Sequence, residues 1–167
     1  DIGLILFSFF LLILVFIPFV GFEANGASRW IRFFGFSFQP SELMKFALIV
    51  YISSYCYRRM TEFKEKWIGF WKPVLVVVLA IALVLFEPDL GSSAVIFLIS
   101  LTIMFIAGAP LKQMSIILFM GLMVFVSMII LVPWRMQRIL SFVDPWSAYG
   151  ESGYQLSQAL IAFSRGD

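Results

Sequence analysis

Histidine is absent from these 167 residues, and cysteine occurs once. The first absence removes Ser/His/Asp relays and histidine-based zinc sites. The lone Cys56 cannot close an internal disulfide and reads as a small apolar residue packed in a helical run. Charge is scarce as well: 12 Lys and Arg against 10 Asp and Glu, or 13% of the chain, leave a net charge of +2. So small a balance gives no electrostatic footprint for nucleic acid. No glycine pattern of the P-loop or dinucleotide-binding type occurs. What is there is apolar: 62% hydrophobic and 18% aromatic residues, with a mean hydropathy of +0.99. A chain of that composition is suited to a bilayer, and its 20 Phe and 8 Met read as packing and lipid contact.

Five apolar runs stand out, at 2–20, 40–57, 73–86, 92–107 and 114–132. At about 1.5 Å per residue, the first and last cross a hydrocarbon core of about 30 Å almost unaided. The run at 73–86 is short, but residues 67–72 can lengthen it through the interface. The expected fold is therefore all-α, a polytopic transmembrane helix bundle of about five spans over residues 1–132. Residues 133–167 read as the start of a large exterior loop, in which Tyr154, Leu156, Ala159, Leu160 and Phe163 recur at the spacing of an amphipathic helix. Before them, Asp144-Pro145-Trp146-Ser147 and Gly150-Glu151-Ser152-Gly153 read as turns. The connection at 58–72 holds five of the 12 Lys and Arg, so it is expected on the cytoplasmic side, with Lys112 in the next tight turn beside it. The other six cations, Lys45 among them, then lie towards the exterior and call for a different reason, such as an anionic ligand. The chain starts at Asp1 without Met or a basic leader and stops in a polar segment, which reads as a piece of a larger membrane protein.

Two carboxylate-bearing spots interrupt the apolar text: Phe38-Gln39-Pro40-Ser41-Glu42-Leu43-Met44-Lys45 and Phe86-Glu87-Pro88-Asp89-Leu90-Gly91-Ser92. With Pro40 at the first helical position, Glu42 falls in the first turn, where the helix dipole favours an anion, and Lys45 follows on the same face. A capped helix with a local ion pair is one explanation. The depth of Lys45 speaks for another, because a charge well inside a span costs about 2.5 to 3.5 kcal/mol; a polar cavity would relieve that cost. At the second spot Pro88 stops a helix and Asp89 can cap the next one. Glu87 and Asp89 could also hold a divalent cation, Mg or Mn, with waters. Arg29 and Arg32, in Gly26-Ala27-Ser28-Arg29-Trp30-Ile31-Arg32, fit either interfacial snorkelling or pyrophosphate recognition by arginine's planar fork.

Taken in order, these segments resemble the SEDS family (shape, elongation, division and sporulation). Further matching stretches are Phe105-Ile106-Ala107-Gly108-Ala109, Arg138-Ile139-Leu140-Ser141-Phe142, Ser152-Gly153-Tyr154-Gln155-Leu156 and Gln158-Ala159-Leu160-Ile161-Ala162-Phe163, and Asp144-Pro145-Trp146 favours the cell-division branch. The resemblance implies a peptidoglycan glycosyltransferase of about ten spans, of which this chain looks like roughly the third to the seventh. It implies polymerisation of lipid II at the outer face of the bacterial cytoplasmic membrane, beside a class B penicillin-binding transpeptidase and other division proteins. Arg29, Glu42, Lys45 and Asp89 match family positions associated with the cavity. The family's catalytic aspartate would follow residue 167, so no catalytic residue is assigned here and the fragment alone is expected to be inactive. Glu87 stands where glutamine is common in the family, which leaves the role of that corner open. A lipid II flippase and a non-catalytic division scaffold are the rival readings.

Overall fold

A computed structural model describes residues 1–17, 21–24, 27–33, 36–133, 135–137, 140 and 154–166. The two turns expected at 144–147 and 150–153 lie outside the described residues. The chain forms two compact units, Asp1–Leu118 and Phe119–Asp167.

The first unit begins with helix α1 (Ile2–Leu14), which is shorter than the apolar run that encodes it. Phe16 and Ile17 donate to Ile13 and Leu14 at 3.1 Å, the tight pattern of a closing turn, and Pro18 follows in the sequence. A proline disfavours helix in the residue before it. Three short antiparallel strands come next: β1 (Gly21–Ala24), β2 (Ala27–Phe33) and β3 (Phe36–Phe38), ordered β1-β2-β3. The sequence between the first two, Asn25-Gly26, is the dipeptide preferred in two-residue hairpins.

Helix α2 (Pro40–Arg58) lies at the centre of the unit. Its buried residues Ser41, Met44, Ala47 with Leu48, Ile52 and Cys56 recur every three or four positions, so one face of α2 is committed to packing. Neighbours are α1 and α5 (Leu90–Ile106), with α4 (Trp67–Phe86) making a smaller contact. The span expected at 73–86 is lengthened to Trp67, so the interfacial residues do extend it.

Pro73 sits inside α4, where it has no N–H to give the carbonyl of Gly69 one turn back. Tyr55 of α2 fills that place, its hydroxyl donating to Gly69 O at 2.8 Å. Gly69 itself has no room for a side chain: a Cβ there would stand 2.1 Å from the Glu62 carbonyl oxygen. That close approach seats the short helix α3 (Met60–Glu65) on the start of α4, with Phe63 and Phe70 fully buried and their ring centroids 5.7 Å apart. Glu62 accepts from Lys72 Nζ at 2.6 Å and from Arg59 Nη1 at 2.8 Å. These two cations, Lys72 foremost, hold its carboxyl down to about 2. Asp1 is ion-paired with Arg58 and accepts from Ser54 Oγ at 2.6 Å, which ties the start of α1 to the end of α2.

Gly108 in the turn after α5 has a φ of +82°, and a Cβ there would meet the Lys64 ammonium at 2.9 Å. The turn before α6 (Leu111–Ile130) and the connection at 58–72 therefore share one end of the unit, as the basic-loop argument requires. Helices α4 and α6 are long and apolar enough to cross a membrane; α1 and α5 are apolar but shorter.

Within the second unit, Arg135 Nη1 donates to the Met128 carbonyl at 3.1 Å, a cation at the carboxyl end of α6. Residues Tyr154–Arg165 form helix α7, where Ser157 is buried while Tyr154, Leu160 and Phe163 are exposed.

Candidate functional site

Pro40 opens α2 with its φ preset for a helix and no N–H to leave unsatisfied. Glu42 lies in the first turn, and Lys45 Nζ donates to Glu42 Oε1 at 2.7 Å. The two partners are unequal. Lys45 is 18% exposed at its side chain and Glu42 57%, so the cation is the sheltered member and the carboxylate leans outward to hold it.

Gln39, the residue before α2, occupies the cap position with extended backbone but does not cap its own helix. Its amide instead reaches across 50 residues of sequence, Nε2 donating to Asp89 Oδ2 at 3.0 Å. Asp89 is the cap of α5, as its place in the sequence suggests: Oδ1 accepts from the Ser92 backbone N–H at 2.9 Å, and Oδ2 accepts from Ser92 Oγ at 2.8 Å. Both acids of this corner are buried, Glu87 at 1% and Asp89 at 8% exposure. The two interruptions in the apolar text are thus brought together, with Gln39 and Asp89 making the contact and Glu42 and Lys45 forming a separate pair one turn along α2.

Arg29 and Arg32 lie on β2, and their side chains are outside the described part of the structure. The backbone is informative all the same. Phe22 faces Trp30 while Glu23 faces Ser28, so Arg29 is the extra residue at a break in register. Such bulges redirect side chains and recur beside active sites. Arg32 stands opposite Ser37 on β3, and β3 is followed directly by Gln39 and α2. The strand with the arginines is therefore joined to the Lys45 helix by one short meander.

At the Glu87–Asp89 corner three N–H and O–H donors already engage the Asp89 oxygens, and among the described residues no group of three His, Cys, Asp or Glu side chains converges. Sequence reasoning passed over Gln39. The available signal was its residue type: glutamine is a poor helix cap, so one standing directly before a Pro-initiated helix has its amide free for something else.

A profile for cell cycle proteins of the FtsW/RodA/SpoVE type matches residues 2–167. The chain belongs to this family. Among curated FtsW/RodA/SpoVE relatives, each named "Probable peptidoglycan glycosyltransferase FtsW", that of Wigglesworthia glossinidia brevipalpis is 44% identical over 162 residues, covering 97% of this chain and 42% of the relative. The one from Tolumonas auensis is 48% identical over 147 residues, covering 88% and 38%. This chain spans about 40% of the length of the curated relatives it matches. Two solved structures of the family share the fold. The Thermus thermophilus rod shape determining protein RodA aligns with a TM-score of 0.63 at 27% identity, over 76% of this chain and 40% of RodA. A chain from a structure described as "Structural coordination of polymerization and crosslinking by a peptidoglycan synthase complex" aligns at 0.70 and 29%, over 96% of this chain and 47% of the other. Membership in the FtsW/RodA/SpoVE family and these alignments make the chain part of a polytopic helical membrane protein, as the resemblance implied.

Proposed function

We propose that this chain supplies the cation-bearing wall of a lipid II polymerase acting at the outer face of the bacterial cytoplasmic membrane during division. The observation that carries the reading is Lys45: a charge sheltered on the central helix α2, held by Glu42 at 2.7 Å, less than two turns from the place where Gln39 and Asp89 join two helices. The names of the relatives support the same reaction.

In that reaction a sugar hydroxyl attacks the anomeric carbon of a lipid-linked sugar. The anomeric C–O bond to the pyrophosphate breaks with its electron pair going to the phosphate oxygen, and the hydroxyl proton passes to a carboxylate. Lys45, with Arg29 of the bulged strand, suits the second half, because fixed cations near a leaving pyrophosphate stabilise the charge it gains. Glu42 orients Lys45. The carboxylate that takes the proton is assigned to no residue of this chain, and the whole protein is expected to work beside a class B penicillin-binding transpeptidase and other division proteins. A divalent ion, Mg or Mn, remains an expectation of the chemistry, and no step here depends on it.

A flippase would need a polar route through the membrane. The buried face of α2 beyond Lys45 is Ala47, Leu48, Ile52 and Cys56, which favours polymerisation over transport. The test is Lys45→Ala in the full-length protein, reconstituted in liposomes with lipid II. Glycan product should fall by about 100- to 1000-fold, the scale of losing one electrostatic stabiliser of a transition state. Unchanged product would remove Lys45 from the site.

A further inference from the structure

We infer that Gln39 is a positioning residue for the reaction proposed above: its hydrogen bond to Asp89 sets where the Lys45-bearing turn of α2 stands against the α4–α5 corner. The inference rests on the proposed role of Lys45. Three observations carry it. Gln39 holds the cap position of α2 and leaves that helix uncapped, so its side chain is committed to the contact with Asp89 at 3.0 Å. Asp89 is buried and engaged by the Ser92 backbone and hydroxyl as well, at 2.9 and 2.8 Å, so its carboxylate is anchored to α5 before Gln39 reaches it. Lys45 lies six residues after Gln39 on a helix continuous from Pro40, so a shift at the cap is transmitted along a rigid rod to the ammonium.

The geometry also gives Asp89 a task other than substrate contact. A carboxylate with three protein donors has little left to offer a hydroxyl or a sugar. Its charge makes the Gln39 bond stronger than a neutral pair would be, and a single fixed bond at the helix start is enough to define the register of the turn that follows. Displacements of about 1 Å at a reacting group cost rate on the order of 100-fold.

The experiment uses the full-length protein, with kcat and KM for lipid II polymerisation measured in liposomes. Gln39→Met keeps the length of the side chain and removes the donor. Asp89→Ser keeps a cap for α5 and removes the acceptor that Gln39 reaches. Each should lower kcat by about 10- to 100-fold with KM changed less than about twofold, and the double variant should be no slower than the worse single one. Gln39→Glu supplies a signature that lost stability would not: two carboxylates face each other, one of them takes up a proton at acidic pH, and the contact returns. Its rate relative to the wild type should therefore rise as the pH is lowered. Additive losses in the double variant, a rise in KM alone, or a flat pH ratio for Gln39→Glu would each overturn the inference. Lys45→Ala measured in parallel separates the two levels: an inactive Lys45→Ala with a fully active Gln39→Met refutes the positioning role alone, whereas a fully active Lys45→Ala refutes the reading beneath it.

Discussion

If Glu42 serves only to hold Lys45, replacing it with glutamine should be mild, and the structure sets the size of the effect. Glu42 Oε1 accepts from Lys45 Nζ at 2.7 Å, and the amide oxygen of a glutamine can accept in the same place. What Glu42→Gln removes is the negative charge. A hydrogen bond to a charged group contributes about 1.5 to 3 kcal/mol and a neutral one about 0.5 to 1.5. Because Lys45 keeps its own charge, the bond falls by about 1 kcal/mol. Glu42 is 57% exposed, so solvent screening holds the change in overall stability below about 1 kcal/mol. Passed wholly to the orientation of Lys45, the loss corresponds to about a fivefold to tenfold fall in kcat. A general base in the same position would behave differently, with losses of about 100- to 10,000-fold and a missing acidic limb in the pH–rate profile. The assay is lipid II polymerisation by the full-length variant across a pH series, alongside its thermal unfolding in detergent. A fall beyond about 1000-fold with an altered acidic limb would refute the orienting role and make Glu42 a proton acceptor.

Two further outcomes test the end of the bundle where α3 meets α4. Tyr55→Phe removes the donor that replaces the missing N–H of Pro73 and leaves the Gly69 carbonyl without that partner; unfolding in detergent should be easier by about 1 to 3 kcal/mol, while lipid II polymerisation by the folded protein is unchanged. Glu62 has its carboxyl depressed in the folded state, so its contribution is complete above the ordinary carboxyl value of 4.5 and disappears as pH falls from there towards about 2. The unfolding midpoint of the wild type should therefore drop more steeply through that window than that of Glu62→Gln, and parallel curves would count against the Lys72–Glu62–Arg59 link.

Much of this molecule is legible without coordinates because its information is local. Apolar run length gives α4 and α6, and the interfacial residues 67–72 announce that the 73–86 run is longer than it looks. Pro40 starts α2, and the three-residue spacing of Glu42 and Lys45 places them on one face close enough to pair. Asp89 before Leu90 and the recurrence of Tyr154, Leu156, Leu160 and Phe163 likewise specify a cap and a helix. In each case a single helix contains the whole argument, and the length of an apolar run, its spacing or the preferences of a few residues at a helix start decide it.

Contacts across the fold belong to the tertiary structure. That Gln39 reaches Asp89, that Tyr55 serves the carbonyl left idle by Pro73, and that Gly69 must lack a side chain because Glu62 passes so close all depend on how α2, α3, α4 and α5 lie against one another. The break of register at Arg29 is of the same kind, since a bulge exists only once a partner strand is there to be out of step with. Spacing along a chain says which residues share a face; it carries no measure of which faces meet, because that is settled by the simultaneous burial of several apolar stripes and the hydrogen bonds left over when they have packed.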